Sequence, residues 1–353
     1  MSNLLLALDF GGTKLTAALA TLSSLPEVHT ANFGEGKRAA PGPPPWLAHR
    51  RVFSPQGASA QFDLDSMMSL GHELLAGASP AAAGVSFGGP VNYESGTVRL
   101  SHHVPGWENT RLQQILESEF SAPVRVDNDA NVAALGEYRF GAGRGYDDLL
   151  YVTVSTGVGG GWILNGRPWR GYETMAGEIG HTVVDPNGPL CLCGKRGCVE
   201  RLASGPYMAQ DFLAERGRRG AGALGSGGAG EQGSRGAEER GSGGAGEQRS
   251  GGGAVTGKTV AELAAQGDSV ARRILERGAW ALGVGIGNAA NLINPRLFVL
   301  GGGVTKSGEQ WWRAVRRAAL ATALPEVQFD VVAAALGDDA PLWGAIALAE
   351  ACL

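Results

Sequence analysis

Short apolar runs alternate with helical patterns along this chain. Four runs have the length and composition of buried β-strands, and each leads into a turn of glycines. These runs lie at 4–10, 81–87, 149–154 and 297–300. Helical patterns lie among them at 131–140, 270–292 and 310–323. Strands that alternate with helices predict an α/β protein.

Two stretches interrupt the pattern. Residues 217–255 are rich in glycine, and the octamer at 225–232 is repeated at 241–248. Such a segment buries too little apolar surface to offset the entropy of ordering it, so we predict a disordered surface insertion. The proline-rich stretch at 37–56 predicts a second irregular loop.

Length and charge narrow the class of protein. A chain of 353 residues exceeds one hydrophobic core and predicts two domains. The net charge of -4 argues against a broad nucleic-acid footprint. No apolar stretch approaches the roughly 20 residues that cross a bilayer, and the first residues do not resemble a signal peptide. We therefore expect a cytoplasmic protein that binds neither nucleic acid nor membrane.

The glycine turns are candidate phosphate sites. Such a turn exposes backbone N–H groups and lets a phosphate approach without meeting a Cβ. The sequence DFGGTK at 9–14 adds a carboxylate, a hydroxyl and an ammonium, a set that suits Mg²⁺ and a polyphosphate. A tight hairpin or a close strand crossing would also explain any single glycine pair. None of the turns has the Walker pattern, so we expect no P-loop enzyme.

Histidine and cysteine residues cluster between positions 181 and 198. The candidate ligands are His181, Cys191, Cys193 and Cys198. One imidazole and three thiolates form a ligand set of closed structural zinc sites, and clustered cysteines without a secretion signal favour metal over disulfide. Buried, unligated cysteines beside an unrelated histidine are the alternative. A zinc ion held in this way would stiffen the loop and would not act on substrate.

Acidic residues supply the remaining candidate chemistry. A strand predicted at 124–126 runs into Asp127-Asn128-Asp129, ahead of a helix. These residues suit a helix N-cap, and alternatively one carboxylate accepts a proton from a substrate hydroxyl. Glu178 and Glu200 flank the candidate metal loop, which could present them to the hydroxyls of a sugar together with His181.

In their order, these motifs resemble the ROK family (repressors, uncharacterised reading frames and sugar kinases), on its zinc-containing sugar-kinase branch. The matching segments are DFGGTK at 9–14, GGPVN at 88–92 with GW at 106–107, DNDAN at 127–131, STGVGGG at 155–161, AGEIGH at 176–181, CLCGKRGCVE at 191–200 and LGGGV at 300–304. Ser155 stands where the family often has glycine. The stretches at 37–56 and 217–255 are not part of the family pattern.

The resemblance implies an actin-like ATPase fold, in which two RNase H-like α/β domains close over a cleft. It implies a small domain at 1–127 and a large domain at 128–337 that contains the zinc loop 181–198. A C-terminal helix at about 338–353 would return to the small domain. The resemblance also implies a homodimer or a homotetramer.

The activity implied by the resemblance is that of an ATP-dependent hexose kinase. A glucokinase is the first expectation, with Mg²⁺ and ATP, a structural zinc ion and a place in glycolysis. Asp129 would be the general base. The implied sugar contacts are Gly88, Gly89, Asn128, Asp129, Glu178, His181 and Glu200. The implied ATP and Mg²⁺ contacts are Asp9, Gly11, Gly12, Thr13, Lys14, Thr156, Gly157, Gly159, Gly302 and Gly303. His181 would bond zinc through one nitrogen and a sugar hydroxyl through the other.

Three alternatives stay open at this stage. The sugar could be N-acetylmannosamine, N-acetylglucosamine, mannose or fructose. The family's transcriptional regulators sense a sugar and bind DNA through an added N-terminal helix-turn-helix, for which the eight residues before Asp9 leave no room. An inactive sugar-binding protein would need Asp129 replaced or the phosphate turns broken, and the sequence has neither change.

Overall fold

Two mixed β-sheets with flanking helices organise the chain. The computed structural model describes residues 3–26, 42–101, 104–224 and 254–353. The strands are β1 (Leu4–Phe10), β2 (Lys14–Thr21), β3 (Ala48–Phe53), β4 (Ala82–Phe87), β5 (Val91–Asn92), β6 (Thr97–Val98), β7 (Val124–Asn128), β8 (Leu149–Val154), β9 (Val158–Leu164), β10 (Arg167–Trp169), β11 (Leu297–Gly301) and β12 (Asp330–Ala333). The α-helices are α1 (Ala60–Leu75), α2 (Leu112–Phe120), α3 (Asp129–Phe140), α4 (Val199–Ala203), α5 (Gly205–Leu224), α6 (Gly257–Ala265), α7 (Ser269–Ile293), α8 (Glu309–Thr322) and α9 (Ala340–Glu350). Among the described residues, no helix combines the length and the apolar character that a membrane span requires.

The two sheets repeat one arrangement. The first has the strand order β3-β2-β1-β4-β7, and the second has the order β10-β9-β8-β11-β12. In each sheet three strands are parallel (β1, β4 and β7; β8, β11 and β12). The next strand, β2 or β9, pairs antiparallel with β1 or β8, and the last strand, β3 or β10, pairs antiparallel with β2 or β9. The carboxyl ends of the parallel strands therefore meet at one edge of each sheet, the edge at which α/β proteins place their ligands.

Helices α3 and α9 pack between the two sheets. Phe140 of α3 contacts Trp343 of α9, with ring centroids 5.2 Å apart, in the core behind the first sheet. Ala134, on another face of α3, packs in a core with residues of β8 and β9. Helix α9 lies so close to β4 that a Cβ at Gly84 would collide with the carbonyl of Ala345. The C-terminal helix thus packs on the first sheet although it follows the last strand of the second.

Most elements lie where the hydrophobic pattern predicts them. Strands β1 and β8 have the predicted bounds, and β4 and β11 differ by one residue at one end. Strand β7 continues to Asn128, and α3 begins at Asp129. The acidic segment is therefore the junction between a strand and a helix, as the sequence predicts.

Both predicted irregular stretches require a correction. The stretch 37–56 contains strand β3, which pairs with β2 and was missed because an edge strand needs no continuous apolar run. Helix α5 extends to Leu224 and covers the beginning of the glycine-rich stretch that we predicted to be disordered from residue 217. Residues 225–253 of that stretch lie outside the described residues.

Candidate functional site

Polar side chains form a row at the carboxyl edge of the first sheet. The register pairs Asp9 with Ser86 and Ser86 with Asp127, so the three side chains lie on one face of β1, β4 and β7. The Ser86 hydroxyl donates a hydrogen bond of 2.7 Å to Asp9 Oδ1. Burial raises the pKa of Asp9 to about 7, and the charge of the nearby Asp129 acts in the same direction. The carboxylates of Asp9 and Asp129 bring two negative charges close together at this edge. A bound cation would stabilise both of them.

The glycine turns after β1 and β4 are in contact. The N–H of Gly88 donates to the carbonyl of Phe10 at 2.9 Å. A Cβ on Gly88 would lie 3.2 Å from the same oxygen and 3.8 Å from the Cα of Gly11. The N–H of Gly11 donates to the carbonyl of Lys14 at 3.0 Å and closes the turn that holds Gly12 and Thr13. The predicted phosphate turn and the predicted sugar-binding glycines are therefore neighbours.

At the junction between β7 and α3, the helix cap and the candidate base are two neighbouring residues. Asn128 is the N-cap, because its Oδ1 accepts from the N–H of Ala130 at 3.0 Å, and its Nδ2 donates to the carbonyl of Gly89 at 3.0 Å. Asp129 is the first helical residue. Burial raises the pKa of Asp129 to about 6, hydrogen bonds from Ala130 and Asn128 oppose this, and the charge of Glu178 adds to it. Such a carboxylate can accept a proton near neutral pH.

The turn between β8 and β9 and the first residues of β9 lie beside the beginning of α3. A Cβ on Gly159 would contact the Cβ of Ala130 at 3.4 Å. Glu200 Oε2 accepts from the first N–H of β9 at 3.0 Å, and it lies 2.8 Å from the position of a Cβ on Gly157. This turn, which contains Thr156, therefore lies between Glu200 and the helix that begins with Asp129.

A second glycine turn follows β11. Strands β8 and β11 are parallel neighbours, so this turn lies at the same edge of the second sheet as the β8–β9 turn. Gly302 has a φ of 87°, and a Cβ there would lie 2.5 Å from the carbonyl oxygen of Val154. A Cβ on Gly303 would meet no atom within 4 Å. Glycine is required at position 302, and open space adjoins position 303.

The four candidate zinc ligands come together in one cluster. Their ligand atoms all lie within 4.8 Å of one another. The Sγ atoms of Cys193 and Cys198 are 3.5 Å apart, and His181 Nδ1 is 4.0 Å from Cys191 Sγ. Tetrahedral zinc, with Zn–S bonds of about 2.3 Å, needs sulfur atoms about 3.8 Å apart, so the cluster fits this ion. His181 ends a short 3₁₀ turn that directly follows Glu178.

Most of the predicted sugar and ATP contacts form two groups that α3 connects, while His181 lies in the cysteine cluster. The first group surrounds the beginning of α3 and the edge of the first sheet. It contains Asp9, Gly11, Gly12, Thr13, Lys14, Gly88, Gly89, Asn128, Asp129 and Glu178. The second group surrounds the β8–β9 turn and contains Thr156, Gly157, Gly159 and Glu200. Gly302 and Gly303 lie one strand farther along the second sheet, against β8.

The structure adds two residues that the sequence analysis missed. Ser86 could have been found as a lone hydroxyl inside the apolar run of β4. Arg170 gave no signal in the sequence. Its Nε donates to Asp127 Oδ2 at 2.7 Å, and its Cζ lies 3.5 Å from the ring centroid of Tyr93.

Repeated mixed sheets, connecting helices and glycine turns at the sheet edges define an α/β protein with the actin-like ATPase fold, which its structural neighbours share. The chain belongs to the ROK family, whose sequence model matches residues 65–352. It is 37% identical over 267 residues to a glucokinase from Halalkalibacterium halodurans, with 74% of each chain covered.

Two solved structures extend this similarity over the whole chain. A ROK hexokinase from Thermus thermophilus is 29% identical, with a TM-score of 0.74 over 99% of this chain and 98% of that one. A ROK family glucokinase from Streptomyces griseus, in complex with glucose and AMPPNP, is 30% identical, with a TM-score of 0.72 over 99% of each chain.

Proposed function

We propose that this protein is an ATP-dependent glucokinase that converts glucose and ATP to glucose 6-phosphate and ADP. The observation that carries the proposal is the half-buried carboxylate of Asp129, whose pKa is raised to about 6, between glycine turns of two sheets. The glucokinase from H. halodurans and the glucose complex from S. griseus support the choice of glucose.

Asp129 acts as the general base in this proposal. Its carboxylate accepts the proton of the sugar O6 hydroxyl as O6 forms a bond to the γ-phosphorus and the bond to the β-phosphate oxygen breaks. A pKa of about 6 leaves the group ionised at neutral pH and more basic than an ordinary aspartate. Closure of the two sheets over the substrates would exclude water, which competes as an acceptor.

The nucleotide side consists of the glycine turns. Residues 9–14 and 156–159 would face the phosphates through backbone N–H groups, and Gly302 and Gly303 would adjoin the adenosine. Asp9 is the candidate acidic residue for Mg²⁺, because burial and the charge of Asp129 both raise its pKa and a cation relieves this. Mg²⁺, when bound, neutralises charge on the phosphates.

The sugar side consists of Asn128, Glu178, His181 and Glu200, with Gly88 and Gly89 beside them. His181 faces the thiol of Cys191 through Nδ1, which leaves Nε2 for a sugar hydroxyl. Zinc, when bound, would hold the loop 181–198 in one conformation.

A coupled kinase assay across several hexoses tests the substrate. The panel is glucose, mannose, fructose, N-acetylglucosamine and N-acetylmannosamine. A pocket that fits one substituent at C2 discriminates by about 1–3 kcal/mol, so we expect kcat/KM for glucose to exceed the others by about tenfold or more. A higher value for another hexose would replace glucose as the substrate. Absence of phosphorylation with all five would overturn the kinase proposal.

Substitution of the base tests the mechanism. Asp129→Asn should lower kcat by about 10²- to 10⁴-fold, because the amide cannot accept the proton. Glucose binding, measured by calorimetry, should change little. Asp65→Asn is the matched control, because Asp65 is an exposed aspartate on α1 and should retain wild-type turnover. Retained turnover in the Asp129 variant would remove this residue from the base role.

A further inference from the structure

An ion pair joins the two sheets beside the candidate base. Arg170 directly follows β10 of the second sheet, and Asp127 lies on β7 of the first. Arg170 Nε donates to Asp127 Oδ2 at 2.7 Å, and the side chains are only 16% and 2% exposed. A buried pair of this kind adds little net stability over an apolar pair, so its geometry suggests a different role.

The Asp127 carboxylate binds a backbone N–H on one side of Asp129 and a side-chain amide on the other. Asp127 Oδ1 accepts from the N–H of Asn128 at 2.8 Å and from Nδ2 of Asn131 at 3.1 Å. These partners stand one residue before and two residues after Asp129. The position of Asp127 therefore determines how α3 begins and where its first carboxylate lies.

Arg170 is itself fixed by its surroundings. Its guanidinium stacks on the ring of Tyr93, with Cζ 3.5 Å from the centroid. Its carbonyl accepts from the N–H of Ala176 at 2.9 Å. In the same segment, Thr174 Oγ1 donates to the carbonyl of Val91 at 2.8 Å, which docks the segment on β5. This segment leads directly to Glu178 and His181, the candidate sugar contacts.

We propose that Arg170 is a positioning residue of the kinase, which holds Asp127 and thereby sets the distance between the Asp129 carboxylate and the sugar-binding segment that ends at His181. The inference rests on the proposed function. The backbone of Arg170 lies in the segment that leads to Glu178 and His181, and its side chain binds Asp127 on β7, the strand that directly precedes the base. A displacement of about 1 Å at a reacting group can cost about 100-fold in rate, so a single fixed ion pair has a measurable effect.

Arg170→Gln tests the positioning role. We expect kcat with glucose to fall tenfold or more, while KM for ATP stays within twofold, because the glycine turns on the nucleotide side do not depend on the pair. Arg167→Gln is the matched control, because it removes the same charge from an exposed position on β10. Arg170→Lys should retain an intermediate kcat, since it keeps the charge and loses the planar donor that stacks on Tyr93. Folding is compared by circular dichroism, and Arg170→Lys carries the test if the glutamine variant does not fold.

A double-mutant cycle separates this role from a general structural one. Asp127→Asn and Arg170→Gln should together lower kcat by clearly less than the product of the two single effects, because both break the same link. Wild-type kcat in a folded Arg170→Gln protein, an equal effect of Arg167→Gln, or two effects that simply multiply would each overturn the inference. If the wild-type protein phosphorylated no hexose, the proposed function itself would fail. An active wild type with an unaffected Arg170 variant would remove only the positioning role.

Discussion

At the scale of single residues, two neighbouring residues at the junction between β7 and α3 have different roles. Asn128 caps the helix through Oδ1 and holds the turn after β4 through Nδ2. Asp129 also accepts a hydrogen bond from the N–H of Ala130, at 2.8 Å. Its pKa is nevertheless raised, because burial outweighs this hydrogen bond. The cap and the proposed base are therefore different residues, although the sequence offered both roles for one acidic segment.

The raised pKa of Asp129 predicts the acidic limb of the activity profile. The base works only when ionised, and its pKa of about 6 lies well above the ordinary value of 3.8. We therefore expect kcat/KM for glucose to be half-maximal near pH 6 and to fall about tenfold per pH unit below it. Glu178 and Asp9 are acidic groups that interact with Asp129 electrostatically. Glu178→Gln should move the limb to lower pH because it removes a negative charge, and a flat profile down to pH 4.5 would contradict the prediction.

At the scale of elements, the strands show what a sequence pattern can and cannot predict. The central strands β1 and β8 have neighbours on both sides and long apolar runs, so the pattern gave their bounds. The strand β3 exposes Arg50 and Arg51 and, among the described strands, lies at the edge of its sheet beside β2, so it lacks such a run. The cluster of one histidine and three cysteines was predictable because three of its four residues are close in sequence. The pair of Asp127 and Arg170 spans 43 residues and exists only through the fold.

The loop 181–198 gives a prediction about zinc. Cys193→Ser should lower bound zinc from about one ion per chain to near zero, because a hydroxyl is a poor ligand for this ion. The melting temperature should fall with it, since the metal stabilises the folded loop. Cys352→Ser is the matched control, because its thiol contacts the carbonyl of Leu348 in α9 and is not in the cluster. Unchanged zinc content in the Cys193 variant, measured by metal analysis, would refute the ligand assignment.

At the scale of the whole molecule, two chain segments connect the sheets. The first is α3 with the residues that lead to β8, and the second leads from β12 into α9. Both helices pack together between the sheets. Helix α9 packs on the first sheet, and the apolar pattern alone could not have assigned it there. A change in the angle between the sheets therefore requires these two segments to move.

Glu137 fastens these two connections to each other. The residue lies on α3 and is completely buried. Its carboxylate accepts from the N–H of Ala142, at 2.7 Å, and from those of Ala335 and Leu336, at 3.1 and 2.8 Å, just before α9. Glu137→Gln keeps the shape but turns an amide donor toward N–H groups that need an acceptor. We expect the free energy of unfolding in urea to fall by about 2–4 kcal/mol.

The control for Glu137 is Glu276→Gln, which removes an exposed charge from α7 and should change the free energy of unfolding by less than about 0.5 kcal/mol. The position of the destabilised hydrogen bonds shows whether Glu137 links α3 to the segment before α9 or stabilises α3 alone. If Glu137 fastens the two connections, hydrogen exchange in the variant should increase in both α3 and α9, because the lost hydrogen bonds join the two segments. Faster exchange in α3 alone would show that the carboxylate supports only its own helix, and an unchanged unfolding curve would show that neighbouring groups replace it.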